Sequence, residues 1–264
     1  MELVGYAGAI LMGLLLGLVG GGGAILALPI LLYLFGVPPE QATLYTLFIV
    51  GITSFFGSIT HLRQGNFDTK MAVQFGGISV LSVTFTRLVL LPLIPDIIFI
   101  IGNLEVTKSL FLLLIFAIIM LVVAYKMIID APLIPANDKP HTTQAIATRA
   151  VFVGILTGLV GAGGGFLIVP ALHLYAHLEF KKAIGTSLLI IATNSLMGFA
   201  VSKIGNTDSI DWTLLLSFST FAVLGIGVGA RLTQLVSGAQ LKPAFGWLIL
   251  IMGSYIIIKT LAFP

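Results

Sequence analysis

The chain has 264 residues, of which 58% are hydrophobic and 9% charged, with a formal net charge of +3 and no cysteine. Apolar runs of about 20 residues recur from end to end, which excludes a soluble domain and implies a polytopic α-helical membrane protein. The missing cysteines exclude disulfides, thiolate metal sites and cysteine nucleophiles. The small basic excess is ordinary for cationic cytoplasmic loops, so no nucleic-acid partner is expected.

The N-terminus, Met1-Glu2-Leu3-Val4, lacks the positive region of a cleaved signal peptide and is read as part of the fold. Residues 3–36 hold an apolar helix, the glycine cluster Gly20–Gly23 and a second apolar helix that ends at Gly36-Val37-Pro38-Pro39. Helices are expected next over 42–60, 70–92 and 104–129, with Pro92, Pro95 and Gly102 punctuating the last gap. Residues 130–145 are polar and proline-rich and form the linker. The pattern then restarts, with 147–178 carrying its own glycine cluster, followed by 183–202, 212–236 and 241–262. The chain reads as a single membrane domain, 1–264, made of one repeat over 1–129 and a second over 146–264.

The duplication rests on costly residues. At an offset of about 141, Gly13, Gly17, Gly20, Gly22, Gly23 and Pro29 fall on Gly154, Gly158, Gly161, Gly163, Gly164 and Pro170. Ala42, Ser54 and Gly57 fall on Ala183, Ser195 and Gly198; small gaps then align Asp68 with Asp211 and Arg87 with Arg231.

Glycine costs about 1 kcal/mol against alanine inside a helix. The pairs Gly13/Gly17 and Gly154/Gly158 have the spacing that lets membrane helices approach closely. The contiguous runs have no such use and mark broken helices, which lipid tolerates only beside protein or a water-filled cavity. Residues 3–19 would span about 25 Å and 24–36 about 20 Å, which fits a hairpin better than one crossing. Each half then has an odd number of crossings and the halves are inverted. That arrangement sets Arg63, Lys70, Lys126, Lys139, Arg149, Lys181, Lys182, Arg231 and Lys242 against Arg87, Lys108, Lys203 and Lys259 on the opposite side. The bias puts the linker in the cytoplasm and both termini outside. The expected fold is therefore an all-α transmembrane bundle of two inverted repeats, each a glycine-broken hairpin followed by three helices.

Broken helices at a repeat interface are how many secondary transporters build a substrate site. Candidate lining is Gly20, Gly21, Gly22 and Gly23 with Gly161, Gly163, Gly164 and Gly165, whose freed amides favour an anion, with second half-helices starting at Ala24 and Phe166. Thr46, Thr53 and Ser54 on one following helix, and Thr186, Ser187, Asn194 and Ser195 on the other, are candidate polar contacts. Asn194 serves equally well as a bond between helices, and the hydroxyls can bond their own helix carbonyls. All ten acidic residues fall at element ends or loops, which favours an anion pathway over a carboxylate-based cation site. Asp68 and Asp211 are read as helix caps, and Arg87 and Arg231 as snorkelling side chains rather than vestibule cations. His61, His173 and His177 lie near expected membrane edges; His173 is a candidate for proton coupling, and the His173/His177 spacing lacks further metal ligands. No enzyme motif is present, and no cofactor or metal is expected.

The motifs GLVGGGGAILALP and GLVGAGGGFLIVP, with Ala183-Ile184-Gly185-Thr186-Ser187-Leu188, resemble the sulfite exporter TauE/SafE family over nearly the whole chain. The resemblance implies a plasma-membrane permease moving sulfite, an organosulfonate or a related sulfur anion outward. Its expected partners are that small anion, membrane lipid and a coupling proton or sodium, with a homodimer left open. The first half departs at Thr43-Leu44-Tyr45-Thr46-Leu47, so the two half-sites are not expected to be equivalent. A passive anion channel and a structural membrane subunit are the competing readings.

Overall fold

The structure, a computed structural model, describes residues 2–95, 97–101, 104–129, 143–160, 162–204 and 210–262. Most of the expected linker therefore lies outside the described residues. Among the described residues, six helices are long and apolar enough to cross a membrane: Gln41–Arg63, Thr69–Leu93, Leu110–Ile128, Phe180–Ile204, Trp212–Leu235 and Gly238–Ile258. The protein is a multi-pass, predominantly helical membrane protein.

Helix α1 (Glu2–Val19) ends at Gly20, whose φ of 77° and ψ of −138° suit glycine and strain any other residue. The chain reverses there, continues as a 3₁₀ turn over Gly21–Leu26 and becomes α2 (Ala27–Tyr33). The returning arm lies antiparallel to α1, with Gly23 on Leu16 and Met12, Gly8 on Ile30 and Gly5 on Phe35. The second segment does the same in outline: α7 (Thr143–Val160), a 3₁₀ turn over Ala162–Leu167, α8 (Ile168–Pro170) and a π turn over Ala171–Tyr175. Helical turns thus begin at Gly21 and Ala162, earlier than the expected starts at Ala24 and Phe166. The glycine-rich runs take up 3₁₀ winding from Gly21 and Ala162 on, and regular α-helix follows only at Ala27 and Ile168.

After the first hairpin come α3 (Pro39–Arg63), α4 (Thr69–Phe85, extended by a π turn over Thr86–Leu90 and α5, Leu91–Leu93) and α6 (Lys108–Ile128). After the second come α9 (Phe180–Ile204), α10 (Trp212–Leu235) and α11 (Gly238–Ala262). One departure from an all-helical chain precedes α6. Strands β1 (Ile97–Ile101) and β2 (Leu104–Thr107) pair antiparallel where the helix was expected to start at 104. Their isoleucine-rich sequence flanks a Gly-Asn dipeptide, a hairpin signal that outweighs apolar continuity. Thr107 then caps α6, accepting from the Leu110 amide at 3.3 Å.

Helices α3 and α9 pack antiparallel: the Phe48 and Phe199 rings lie 5.2 Å apart, Gly51 meets Leu196, and Gly57 meets Leu188. Helices α6 and α11 are also antiparallel, with Gly246 on Met127 and Gly253 on Met120. The other large seams are parallel and join early to late sequence. Gly13 and Gly17 of α1 abut the Ala222 and Ile226 carbonyls of α10, while Gly154 and Gly158 of α7 abut Ser79 and Thr86 of α4 and its π turn. Lipid tails are as apolar as leucine, so such seams are stabilised by close packing rather than by the hydrophobic effect. A side chain at any of these four glycines would overlap neighbouring atoms, many of them main chain.

Two turns are tied across α3 and α9. Asp68 caps α4 by accepting from the Met71 amide at 2.8 Å, and its own N–H donates to Thr186 Oγ1 at 2.9 Å. Asp211 caps α10 through the Leu214 amide at 3.0 Å, and its N–H donates to the Tyr45 hydroxyl at 2.8 Å. Both aspartates are the caps the sequence implies.

The α3–α9 pairing is testable because the chain has no cysteine. A Phe48→Cys/Phe199→Cys pair should link with a short bifunctional thiol reagent, and Phe48→Cys/Ile184→Cys should not. The reverse result would contradict the antiparallel packing.

Candidate functional site

The two chain breaks touch. Gly21 packs directly on the carbonyl of Gly165 and on Cα of Phe166, so close that a Cβ would overlap main-chain atoms. Gly165 in turn lies against Ile191, near the middle of α9, where a Cβ would sit 3.0 Å from the Ile191 side chain. Gly20 faces the first turns of α9, 3.2 Å in the same sense from Ser187 Oγ. Gly22 faces Phe245 and Leu248 of α11, and Gly23 faces α1. Gly20, Gly21, Gly22, Gly23 and Gly165 are buried. Gly163 and Gly164 lie within the second 3₁₀ turn, and Gly161 falls outside the described residues. The Gly23 amide reaches the Gly20 carbonyl only at 3.4 Å, a long bond for a helical turn.

The polar candidates are spread more widely. Thr46, Thr53 and Ser187 donate to their own helix, to the carbonyls of Ala42, Ile49 and Ile184 at 2.6, 2.6 and 2.7 Å. Ser195 is buried, and Ser54 is buried with its hydroxyl unpartnered. Thr186 is engaged by the Asp68 amide, so its oxygen points to the α3–α4 turn. Asn194 donates from Nδ2 to Ser79 Oγ of α4 at 2.8 Å, and its buried Oδ1 has no partner. Ser187 is thus the hydroxyl the structure brings to Gly20, while Thr186 and Asn194 bind α4 and the turn before it.

Two side chains gain importance from the packing. His61 is fully buried; its Nε2–H donates to the Gly17 carbonyl at 2.9 Å, one turn before the first break, and Nδ1 has no partner. Thr233 donates to the same carbonyl at 3.1 Å. Arg87 lies between α4 and α9, with Nη1 donating to Ser202 at 2.7 Å and Nε buried without a partner. Its neighbour Thr86 packs on Gly158, just ahead of the second break. The sequence carries one signal for these positions: His61 and Ser202 match at the 141-residue offset. Their places near helix ends set His61 and Arg87 close to the expected membrane edges, and their partners come from distant sequence.

His173 donates from Nδ1 to the Leu178 carbonyl at 2.8 Å and stands on the Phe180 ring. With Glu179 and Lys242 it lines a cavity of about 470 Å³ at the starts of α9 and α11. Phe180 and its ring neighbour Phe245 lie between that cavity and Gly22.

The sequence profile described as Sulfite exporter TauE/SafE matches residues 6–256. The chain belongs to the sulfite exporter TauE/SafE family. A probable membrane transporter protein of Xylella fastidiosa is 30% identical over 259 residues, covering 96% of this chain and 93% of that protein. A Bacillus subtilis protein of the same description is 28% identical, covering 89% and 91%, and one from Methanocaldococcus jannaschii is 24% identical, covering 94% and 92%. No solved structure gives a significant match. By family, the molecule is a membrane transporter.

The Asn194–Ser79 bond can be measured by a double-mutant cycle of Asn194→Ala and Ser79→Ala. A coupling near the membrane average of about 0.6 kcal/mol is expected. Zero coupling in the thermal unfolding of purified protein would contradict the bond.

Proposed function

We propose that this transporter exports sulfite or a small organosulfonate, holding the anion where the two glycine breaks meet, by alternating access of two inverted halves. The observation that carries the reading is the contact of Gly21 with Gly165 and Phe166. Two chain reversals deep inside a membrane protein meet with no side chain between them, so small relative motions of the halves part main chain from main chain. Parting them opens a space lined by peptide groups and the Ser187 hydroxyl. Preorganised main-chain donors suit an oxyanion and need no buried cation at the meeting point.

Inversion of the halves is supported by the pairing rules. Exchange of α1 with α7, α3 with α9, α4 with α10 and α6 with α11 converts every large seam into another observed seam: α1–α10 becomes α7–α4, and α3–α9 and α6–α11 map onto themselves. Corresponding helices that touch run antiparallel, which is what a relating axis in the membrane plane would give. The Asp68–Thr186 and Asp211–Tyr45 bonds exchange in the same way. Orientation follows from the cations. Arg63, Lys70, Lys126, Arg149, Lys181, Lys182, Arg231 and Lys242 lie toward the side of the linker, against Arg87, Lys108, Lys203 and Lys259 opposite, which supports a cytoplasmic linker side.

Transport by purified protein in liposomes tests the reading with radiolabelled sulfite. Gly21→Val and Gly165→Val should each cut flux at least tenfold while the protein still reaches the membrane, with overpacking costing about 1–3 kcal/mol of stability. Wild-type flux in both variants would contradict a pathway through the breaks. Failure of sulfite, sulfonates and thiosulfate alike to move would contradict the substrate class.

A further inference from the structure

Arg87 places a charge in the seam between α4 and α9. It belongs to the membrane-spanning stretch Thr69–Leu93, and its side chain is half-buried. It lies against α9, where Gly198 leaves room for it: a Cβ on Gly198 would come 3.3 Å from Arg87 Nε. Nη1 holds Ser202 at 2.7 Å, and Nε is buried with no acceptor. Among the described residues no carboxylate pairs with it. Charged groups inside a membrane protein are kept when something compensates them. Here the described residues supply one neutral hydroxyl and leave Nε–H, on the edge with which arginine grips two oxygens of an oxyanion, without an acceptor.

The location gives this edge a use. Thr86 packs on Gly158, one turn ahead of Gly161, so Arg87 stands beside the second break, toward the end of α9 that the cation distribution makes extracellular. Two turns back along α4, Ser79 holds Asn194, whose unpartnered Oδ1 lies on the same α4–α9 seam. The corresponding glycine of the first half, Gly57, is filled by Ile226 instead, and Arg231, the repeat partner of Arg87, is exposed.

We infer that Arg87 is the anchor of an oxyanion-binding site on the outer flank of the second break, gripping two oxygens of a sulfite, sulfonate or carboxylate group. This rests on the proposed anion pathway for its role in transport, although binding at Arg87 stands by itself. The site is the outer station of the path; on the inner flank His61 occupies the position matching Ser202.

The test is sulfite and sulfoacetate binding to full-length protein in detergent, by calorimetry, beside flux in liposomes. Arg87→Gln should weaken binding at least tenfold, with thermal stability retained. Arg87→Lys keeps the charge and any anchoring at the membrane edge but lacks the two-oxygen edge, and it too should bind several-fold more weakly. Both variants binding like wild type, with wild-type flux intact, would overturn the site and leave the transport reading standing. Arg87-dependent binding without flux would sink the transport reading and uphold the site. Wild-type protein that binds neither anion would overturn both. Should Arg87→Gln fail to fold, Arg87→Lys decides by itself: unchanged affinity overturns the two-oxygen grip.

Discussion

The molecule depends on main chain meeting main chain without side chains in the way. Gly21 rests on the Gly165 carbonyl, and Gly13, Gly17, Gly225 and Gly229 let α1 and α10 come together backbone to backbone. In lipid this close approach replaces the hydrophobic effect as the force between helices. It also fixes the plan of the fold, because each hairpin can seat only where the opposite half presents a matching glycine or small residue. The first hairpin therefore rests on α10 and the second on α4, and each half completes the other.

If the two halves are related as proposed, the positions where they differ are informative. His61 and Ser202 hold matching positions, as do Asn194 and Thr53, but each pair differs in chemistry. One break is flanked by an enclosed imidazole bonded to Gly17, the other by a guanidinium bonded to Ser202. A pathway through such a molecule meets different groups from its two sides.

Much of this could be read from the residues. Apolar runs gave the helices, contiguous glycines gave the reversals, and Asp68 and Asp211 announced the caps, because each depends on local chemistry. The pairing of α1 with α10 was out of reach: Gly13 and Gly17 say that some helix comes close, and nothing in their spacing says which. Thr186 and Asn194 show the same limit at the candidate site. Both are buried polar residues on the right helix, yet their partners, the Asp68 amide and Ser79, come from distant sequence and turn them toward α4. Arg87 misled for the opposite reason. Its position near a helix end fits snorkelling, and the space left by Gly198 with the Ser202 bond places the side chain on the α4–α9 seam as well.

The central claim is that the meeting point of the two breaks is where the transported anion sits. Selenite is a close analogue of sulfite and scatters anomalously, so crystals of the full-length protein grown with it give a direct reading. The account predicts an anomalous peak between the two breaks, its oxygens about 2.7–3.2 Å from main-chain amides of the glycine turns, with Gly21 and Gly165 drawn apart. Selenite found only elsewhere, with Gly21 still packed on Gly165, would contradict it.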